Sequence, residues 1–236
     1  MRRLNVQTKV LNENDRIAAE LRTRFRENGV LVLNLISSPG SGKTELLERT
    51  LASLQSSPEG RESGKRVAVL TGDIQTDNDA RRLARYGFPA RQITTGGTCH
   101  LDGRMITRGI EELGVELRDL DLLFIENVGN LVCPSSYDLG EEAKIVLLSV
   151  TEGDDKPLKY PSIFFKSSLF LMTKVDLLPY VPFDAEAAER HARLVHPGLE
   201  IVRCSSTAPG GLDAWLAWLS RKMAAARESA VGKAAQ

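Results

Sequence analysis

A lysine and a threonine, Lys43 and Thr44, stand where a short loop joins an apolar segment to a helical pattern. The apolar segment, residues 31–36, predicts a strand, and residues 43–54 predict a helix. Backbone N–H groups at the start of a helix bind anions, so the loop predicts a phosphate site. The lysine can reach the β- and γ-phosphates of a nucleotide, and the threonine hydroxyl can be a ligand of Mg²⁺.

The loop departs from the phosphate-loop pattern G-x-x-x-x-G-K-[ST] at one position. Ser37 occupies the first glycine position, whereas Gly40 and Gly42 retain the backbone freedom of the motif. The predicted strand before the loop and the helix after it give the motif its required context. The residues that we predict to bind the phosphates are Gly40, Ser41, Gly42, Lys43 and Thr44.

Two carboxylates follow later predicted strands. Asp73 comes after apolar residues 67–71, and Glu126 ends residues 121–126. With Gly129, Glu126 forms the pattern carboxylate-x-x-Gly, which is usually D-x-x-G in GTPases. There the glycine N–H holds the γ-phosphate and the acid acts on Mg²⁺. We expect both acids to serve Mg²⁺ and, with the phosphate-loop lysine, catalysis; Asp73 is also the candidate for orienting the attacking water. The alternatives are a helix cap for Asp73 and an exposed strand-end acid for Glu126.

A second loop predicts recognition of guanine. Thr173, Lys174 and Asp176 form [N/T]-K-x-D directly after an apolar strand. The aspartate can accept hydrogen bonds from guanine N1–H and the exocyclic amine, whereas adenine would leave it unpaired. The lysine stem can cover the base. Thr173 replaces an asparagine whose amide usually ties this loop to the phosphate loop. Ser205 and Ser206 stand where GTPases carry Ser-Ala-Lys, and their backbone can contact the guanine carbonyl.

A third group of residues has the chemistry of a metal site. Cys99, His100 and Cys133 offer thiolate and imidazole, which suit Zn²⁺ and Ni²⁺. Three ligands do not complete a four-ligand site, but a two-fold dimer presents the same patch twice. Cys133 follows the Glu126 turn, which responds to the γ-phosphate in GTPases, so nucleotide state can alter the metal site. The alternative is two buried thiols and a surface histidine. The residues that we leave as structural are His191, His196 and Cys204.

Strands alternate with helices along the chain, which predicts an α/β P-loop NTPase with a mostly parallel sheet and helices on both faces. The predicted strands are residues 31–36, 66–71, 90–94, 121–126, 143–150, 168–173 and 200–203; the predicted helices are 8–28, 43–54, 77–86, 101–113, 184–195 and 211–226. We divide the chain into an N-terminal helical extension (1–29), the nucleotide domain (30–227) and a frayed tail (228–236). The first helix is predicted to cover the core, with partner binding as the alternative.

The composition excludes several classes of protein. The 236 residues carry 31 basic and 31 acidic side chains, without a run of five like charges, so we expect neither a nucleic-acid nor a membrane partner. Three cysteines in a chain of this length fit a reducing compartment rather than a disulfide framework. We recognise no signal peptide and no apolar run of ~18 residues. The expectation is a cytoplasmic protein.

Several long strings of the chain resemble the HypB family, GTPases that help to insert nickel into [NiFe]-hydrogenase. These strings are residues 37–44, 72–73, 99–102, 126–134, 151–161 and 173–179, and the resemblance covers about residues 30–220. The serine at position 37 fits the family pattern. The resemblance implies a SIMIBI-class GTPase fold, slow hydrolysis of GTP to GDP, and a nucleotide-linked homodimer. It also implies a Ni²⁺ or Zn²⁺ site at the dimer interface, made by Cys99, His100 and Cys133.

The resemblance further implies two protein partners, the nickel-handling accessory protein HypA and the hydrogenase large subunit. Residues 8–28 are the candidate contact for HypA. Residues 1–30 contain neither cysteine nor histidine, so we do not expect high-affinity N-terminal nickel binding or nickel storage. Asn130 stands where some GTPases place a water-orienting glutamine, which fits slow turnover.

Three alternative functions stay open at this point. The UreG family, urease nickel-insertion GTPases, shares the fold class but carries a Cys-Pro-His metal motif. An ATP-dependent kinase would use the phosphate loop without needing residues 173–176. A nucleotide-binding scaffold would bind without hydrolysis.

Overall fold

The computed structural model describes residues 2–56, 66–73 and 78–234. The seven strands of this part of the chain are β1 (Leu31–Ser37), β2 (Val67–Asp73), β3 (Ala90–Thr94), β4 (Leu122–Glu126), β5 (Ala143–Ser149), β6 (Leu169–Thr173) and β7 (Glu200–Arg203). They form one sheet in the order β3-β2-β4-β1-β5-β6-β7. Every neighbouring pair is parallel. The predicted parallel α/β sheet is therefore confirmed.

The helices are α1 (Arg2–Glu27), α2 (Lys43–Ser56), α3 (Asn78–Ala84), α4 (Gly103–Leu113), α5 (Lys156–Lys159), α6 (Pro161–Lys166), α7 (Ala185–Val195) and α8 (Asp213–Ala234). Short 3₁₀ turns lie at Leu117–Asp119, Cys133–Ser136 and Val175–Tyr180. Within the described residues, no helix combines the length and the apolar character that crossing a bilayer requires.

The sheet is buried on both faces because successive side chains of a strand point to opposite sides. In β1, Leu33 and Leu35 pack on one face with α2 and α8, whereas Val32 packs on the other with α1 and α4. The second face continues toward β7, where α6 and α7 cover Phe170. Both layers leave the carboxyl ends of the strands uncovered by the helices, which is where ligands bind in open parallel sheets.

Helix α1 covers the core, as predicted. Ala18, Leu21 and Phe25 are buried, and the last two belong to the hydrophobic cluster shared with α4. Residues 24–27 close the helix, and Gly29 follows in the left-handed conformation. The extension assigned to residues 1–29 therefore packs directly on the sheet through one apolar stripe.

The structure corrects some predicted element ends. Helix α4 begins at Gly103 rather than Leu101, because Asp102 caps it through Oδ1, which accepts a hydrogen bond from Met105 N at 2.8 Å. The last helix continues to Ala234 instead of ending at residue 226. The high helix propensity of this alanine-rich segment accounts for the longer helix. Helices α5 and α6 were not predicted, and residue 77 and most of the predicted loop at 55–65 lie outside the described residues.

Candidate nucleotide and metal sites

The predicted phosphate-binding residues other than Ser41, together with both predicted carboxylates, line one cavity of about 410 Å³ at the carboxyl ends of β1, β2 and β4. Among the residues around it are Gly40, Gly42, Lys43, Thr44, Asp73, Glu126 and Gly129. They come from three separate stretches of sequence, and the parallel register brings these stretches to one edge. The topology therefore places the lysine, the threonine and both carboxylates of the phosphate and Mg²⁺ hypothesis around a single opening.

Lys43 is held inside this cavity by a residue whose role was not predicted. Its Nζ donates a hydrogen bond to Ser37 Oγ at 2.8 Å. Burial lowers the pKa of the Lys43 ammonium, and the Glu126 carboxylate opposes that effect. Ser37, the departure from the phosphate-loop pattern, thus supplies an acceptor that orients the lysine in the absence of phosphate.

Glu126 and Thr44 lie in direct contact. Thr44 Oγ1 donates to Glu126 Oε1 at 2.8 Å, while the buried Glu126 Oε2 has no hydrogen-bond partner within the described residues. Burial raises the pKa of the Glu126 carboxyl to about 7, with Lys43 lowering it. A hydroxyl beside a carboxylate with an unsatisfied buried oxygen is a donor set that fits Mg²⁺, which prefers oxygen ligands.

The turn that follows Glu126 packs closely on the phosphate loop. A Cβ atom at Gly129 would lie 3.1 Å from the Cα of Pro39, closer than ordinary contact allows. The absence of a side chain at Gly129 therefore lets the two backbones approach this closely without displacing Pro39. The turn after Glu126 therefore lies directly against the phosphate loop.

Glu152 is a second supporting residue that sequence reasoning did not single out. Its Oε1 accepts hydrogen bonds from Ser41 Oγ at 2.7 Å and from Ser149 N at 3.0 Å. Lys156 lies 3.4 Å from Glu152 Oε2 and also 3.4 Å from Ser38 Oγ. The segment after β5 thereby fixes the phosphate loop from the side opposite β4. The only signal was the family-like string at 151–161.

The predicted guanine-binding residues meet at the ends of β6 and β7. Asp176 Oδ1 accepts from Ser205 Oγ at 2.5 Å, and Asp176 Oδ2 accepts from Thr207 Oγ1 at 3.2 Å. The Ser205 hydrogen bond is the main cause that lowers the pKa of the Asp176 carboxyl. The carboxylate is thus ionised and oriented, as a guanine acceptor must be. Ser206 follows in the same turn and is half-buried.

Thr173, which replaces the usual asparagine, still connects its loop to the phosphate loop. Its Oγ1 donates to the backbone oxygen of Ser41 at 2.7 Å. Lys174 adds a second tie through Nζ to Gly40 O at 2.8 Å, and it has a left-handed backbone with φ of 59°. A hydroxyl thus takes the place of the amide in joining the two loops. A strained backbone of this kind persists where the surroundings impose it.

The three predicted metal ligands form one cluster. The ligand atoms of Cys99, His100 and Cys133 all lie within 4.8 Å of one another. The two Sγ atoms are 2.8 Å apart, and the His100 ring stacks on Tyr137 with 3.8 Å between ring centroids. All three ligands are half-buried, so the alternative of two buried thiols and a surface histidine does not describe them. Thiol and imidazole donors this close together suit a zinc or nickel ion.

Local protonation also fits metal binding. Burial lowers the pKa of the His100 imidazole, which favours the neutral ring that metals bind. The hydrogen bond with Cys133 raises the pKa of the Cys99 thiol. A metal must therefore displace thiol protons when it binds.

Two asparagines join the metal cluster to the turn after β4, and neither role was predicted. Asn127 Oδ1 accepts from Leu101 N at 3.3 Å, and Asn130 Nδ2 donates to Cys99 O at 3.2 Å. These bonds bracket His100 on both sides. Because Asn127 directly follows Glu126, the cavity and the metal cluster share one turn.

The residues left as structural behave as expected. Cys204 is buried in the core, where burial raises its thiol pKa to about 12. His191 Nδ1 lies 3.1 Å from Asp154 O, and the rings of His196 and Phe165 are 6.0 Å apart. None of the three is part of the metal cluster.

Comparison with known proteins agrees with this geometry. Residues 31–203 match the CobW/HypB/UreG nucleotide-binding domain family. The chain belongs to this family. The hydrogenase maturation factor HypB of Azotobacter chroococcum mcd 1 is 50% identical over 224 residues, covering 95% of this chain and 70% of that protein. HypB of Escherichia coli (strain K12) is 51% identical over 224 residues, covering 95% and 74%. The chain is thus a HypB-type member of the family.

Solved structures of the family have the same fold. A crystal structure of HypB from Helicobacter pylori in complex with nickel has a TM-score of 0.81 and 42% identity, covering 89% of this chain and 95% of that one. HypB from Archaeoglobus fulgidus has a TM-score of 0.79 and 37% identity, covering 90% and 99%. The HypB resemblance drawn from the motifs is confirmed.

Proposed function

We propose that the chain is a GTP-hydrolysing nickel metallochaperone for the maturation of [NiFe]-hydrogenase. The observation that supports this proposal is the turn after β4, which both sites share. One face of the turn contributes Glu126 and Gly129 to the nucleotide cavity. Its other face is hydrogen-bonded around the Cys99–His100–Cys133 cluster. A kinase or a simple nucleotide scaffold has no need of a thiol–imidazole cluster on that turn.

The residues around the cavity have separate roles in the proposed hydrolysis. Lys43 and the phosphate-loop N–H groups hold the β- and γ-phosphates, while the Gly129 N–H faces the γ-phosphate. Asp73 orients the attacking water at the cavity edge. Thr44 and Glu126 would hold Mg²⁺, and the ion would supply positive charge that stabilises the transferred phosphoryl group. Asn130 hydrogen-bonds to the metal loop instead of orienting water, which fits slow turnover.

Guanine selectivity follows from Asp176. Its two oxygens are fixed by Ser205 and Thr207 hydroxyls, so both can face guanine N1–H and the exocyclic amine. Adenine offers no matching donors and would leave the carboxylate unpaired. Measuring the hydrolysis of GTP and of ATP under the same conditions tests the proposed guanine selectivity. We expect hydrolysis of GTP and negligible hydrolysis of ATP; equal turnover would refute the guanine assignment.

The metal cargo is bound by Cys99, His100 and Cys133. Their donor set suits Ni²⁺ and Zn²⁺, and equilibrium dialysis with each ion tests it on Cys99→Ala and Cys133→Ala. Cys204→Ala is the matched control, since Cys204 is buried in the core away from the cluster. We expect loss of binding in the first two variants and retention in the control. Unchanged binding in the first two would refute the site.

A second copy of the chain completes the metal coordination. Three ligands leave a four-ligand site open, and Val132, beside Cys133, has 58% of its surface exposed. An exposed apolar side chain next to an incomplete metal site fits a two-fold interface. Sedimentation with GDP, a GTP analogue and each metal tests this. Dimers are expected with metal and the GTP analogue; a monomer under all conditions would count against it.

A HypA-like protein and the hydrogenase large subunit are the protein partners that we propose. The exposed polar side of α1 is the candidate surface for the former. Urease is a second candidate acceptor, because a relative in Helicobacter pylori (strain J99), 42% identical over 221 residues, is a hydrogenase/urease maturation factor. Transfer of nickel to each apo-enzyme in parallel separates the two acceptors.

A further inference from the structure

One buried side chain of helix α1, Asn14, hydrogen-bonds to the two segments that follow the predicted metal ligands. The amide is 5% exposed, although the helix positions on either side of it face solvent. Its Oδ1 accepts a hydrogen bond from Gly103 N at 2.8 Å, and its Nδ2 donates to Asp138 O at 2.9 Å. A single amide therefore pairs with the backbone of two segments that are 35 residues apart in sequence, as the positions 103 and 138 show.

Both of those segments carry metal-site residues. Gly103 N lies three residues beyond His100, and Asp138 directly follows Tyr137, the ring that stacks on His100. The 3₁₀ turn Cys133–Ser136 leads into Tyr137, so Cys133 lies on the same short segment. The two backbone groups that Asn14 bridges are thus the continuations of the Cys99–His100 loop and of the Cys133 turn.

Further contacts hold helix α1 against these two segments near Asn14. Arg22 Nη2 donates to both carboxylate oxygens of Asp138 at 2.6 Å. A Cβ atom at Gly103 would lie 2.8 Å from Ile17 Cγ2, so α4 begins against the surface of α1 with no space between them. A shift of α1 therefore displaces both segments together.

We infer that Asn14 is a positioning residue for the metal cluster: it holds the Cys99–His100 loop and the Cys133 turn at metal-binding separation. The inference rests on the proposed metal-binding function. Backbone segments that are already ordered lose less conformational entropy when a ligand joins them, and affinity rises accordingly. Without the amide, buried Gly103 N loses its acceptor and the oxygen of half-buried Asp138 loses its donor, and the segments relax apart.

The test needs a readout that does not depend on nickel. Phenylarsine oxide supplies one, because its As(III) centre forms bonds to two neighbouring sulfurs and releases water. In a Cys204→Ala background, the probe reports the separation of the Cys99 and Cys133 thiols in the metal-free protein. Nickel affinity is measured on the same proteins by competition with a chelator, and folding is followed by thermal denaturation.

Three variants separate positioning from general destabilisation. Asn14→Ala removes both hydrogen bonds. Asn14→Asp keeps an acceptor for Gly103 N but cannot donate to Asp138 O. Phe25→Leu is the control, because it loosens the buried apolar side of the same helix at its other end and leaves the amide in place.

We expect Asn14→Ala to weaken arsenical and nickel binding about tenfold, equivalent to about 1.4 kcal/mol. Asn14→Asp should be intermediate, and Phe25→Leu should bind within about twofold of the parent despite a lower melting temperature. Parental binding by Asn14→Ala, or an equal loss in Phe25→Leu at equal destabilisation, would overturn the inference. If the parent binds the arsenical but not nickel, the proposed metal function fails, and the arsenical result alone decides the role of Asn14.

Discussion

Replacing Glu126 by glutamine should stabilise the nucleotide-free protein at alkaline pH. Burial raises the pKa of the Glu126 carboxyl to about 7, although the Lys43 ammonium and the Thr44 hydroxyl act in the opposite direction. The native state therefore holds an ionised carboxylate at a cost above pH 7. Glutamine retains an oxygen acceptor for Thr44 Oγ1 and carries no charge to desolvate.

The sign and size of this stability difference follow from the linkage between proton binding and folding. Between the ordinary pKa of 4.5 and the native value of about 7, the native state binds more protons than the unfolded chain. The stability of the parent protein therefore falls as pH rises through this window. At about 1.4 kcal/mol per pKa unit, the full penalty is on the order of 3 kcal/mol once both states are ionised. This penalty is absent in the glutamine variant, which carries no charge at position 126.

Urea denaturation of the Mg²⁺-free protein, followed by the fluorescence of buried Trp215 and Trp218, measures the effect. The stability difference between variant and parent should grow by about 2–3 kcal/mol from pH 5 to pH 8. Exposed Glu111→Gln is the control and should show no such trend. With Mg²⁺ and GDP bound, the advantage should reverse, because the ion stabilises the carboxylate. A difference independent of pH would refute the reasoning.

Three further perturbations test the site. Thr173→Val leaves Ser41 O without its donor and should weaken GTP binding by about 5–100-fold in calorimetry, whereas Thr173→Ser should keep the affinity. Asp176→Asn should weaken GTP binding by ~100-fold or more and improve binding of xanthosine triphosphate, whose ring carbonyl can accept from the new amide; an unchanged base preference would remove Asp176 from the guanine site. Asn127→Ala should bring nickel affinities in GDP and GTP-analogue forms closer together, since Leu101 N loses its link to the Glu126 turn; an undiminished ratio would assign the coupling elsewhere.

The sheet could be predicted from sequence because its strands are short apolar runs that alternate with helical periodicity. All seven were found within about two residues of their observed ends. Helix ends were less certain, because caps and alanine-rich continuations decide them. The Asp102 cap places the start of α4 later than predicted, and α8 continues beyond its predicted end to Ala234. The short helices α5 and α6 have too few residues for a periodic signal.

The site was predictable where a motif fixes chemistry and spacing along the chain. The phosphate loop, the two carboxylates and the metal ligands all met as expected. The supporting contacts were not predictable, because each joins positions distant in sequence. Thr173 reaches Ser41, Glu152 reaches the same serine, and Asn127 reaches Leu101. Serine, threonine and asparagine form such bonds in many settings, so their type alone does not reveal the partner.

A buried polar chain extends the shared turn further into the fold. Asn127 Nδ2 donates to Asn34 Oδ1 at 3.2 Å, and Asn34 Nδ2 donates to Glu141 Oε1 at 3.1 Å. Glu141 Oε2 in turn accepts from Leu139 N at 2.7 Å, in the turn that follows the Cys133 segment. The turn after β4 is therefore held from the nucleotide side, the metal side and the sheet.

We expect nucleotide state to set the nickel affinity of the metal site, and measuring that affinity in the parent protein tests this expectation most directly. Chelator competition would measure that affinity with Mg²⁺–GDP and with a Mg²⁺-bound, non-hydrolysable GTP analogue in the same buffer. The shared turn predicts affinities that differ by at least about fivefold, with an equal reciprocal effect of nickel on the preference between the two nucleotides. Equal nickel affinities in the two forms would contradict a metal site controlled by the nucleotide.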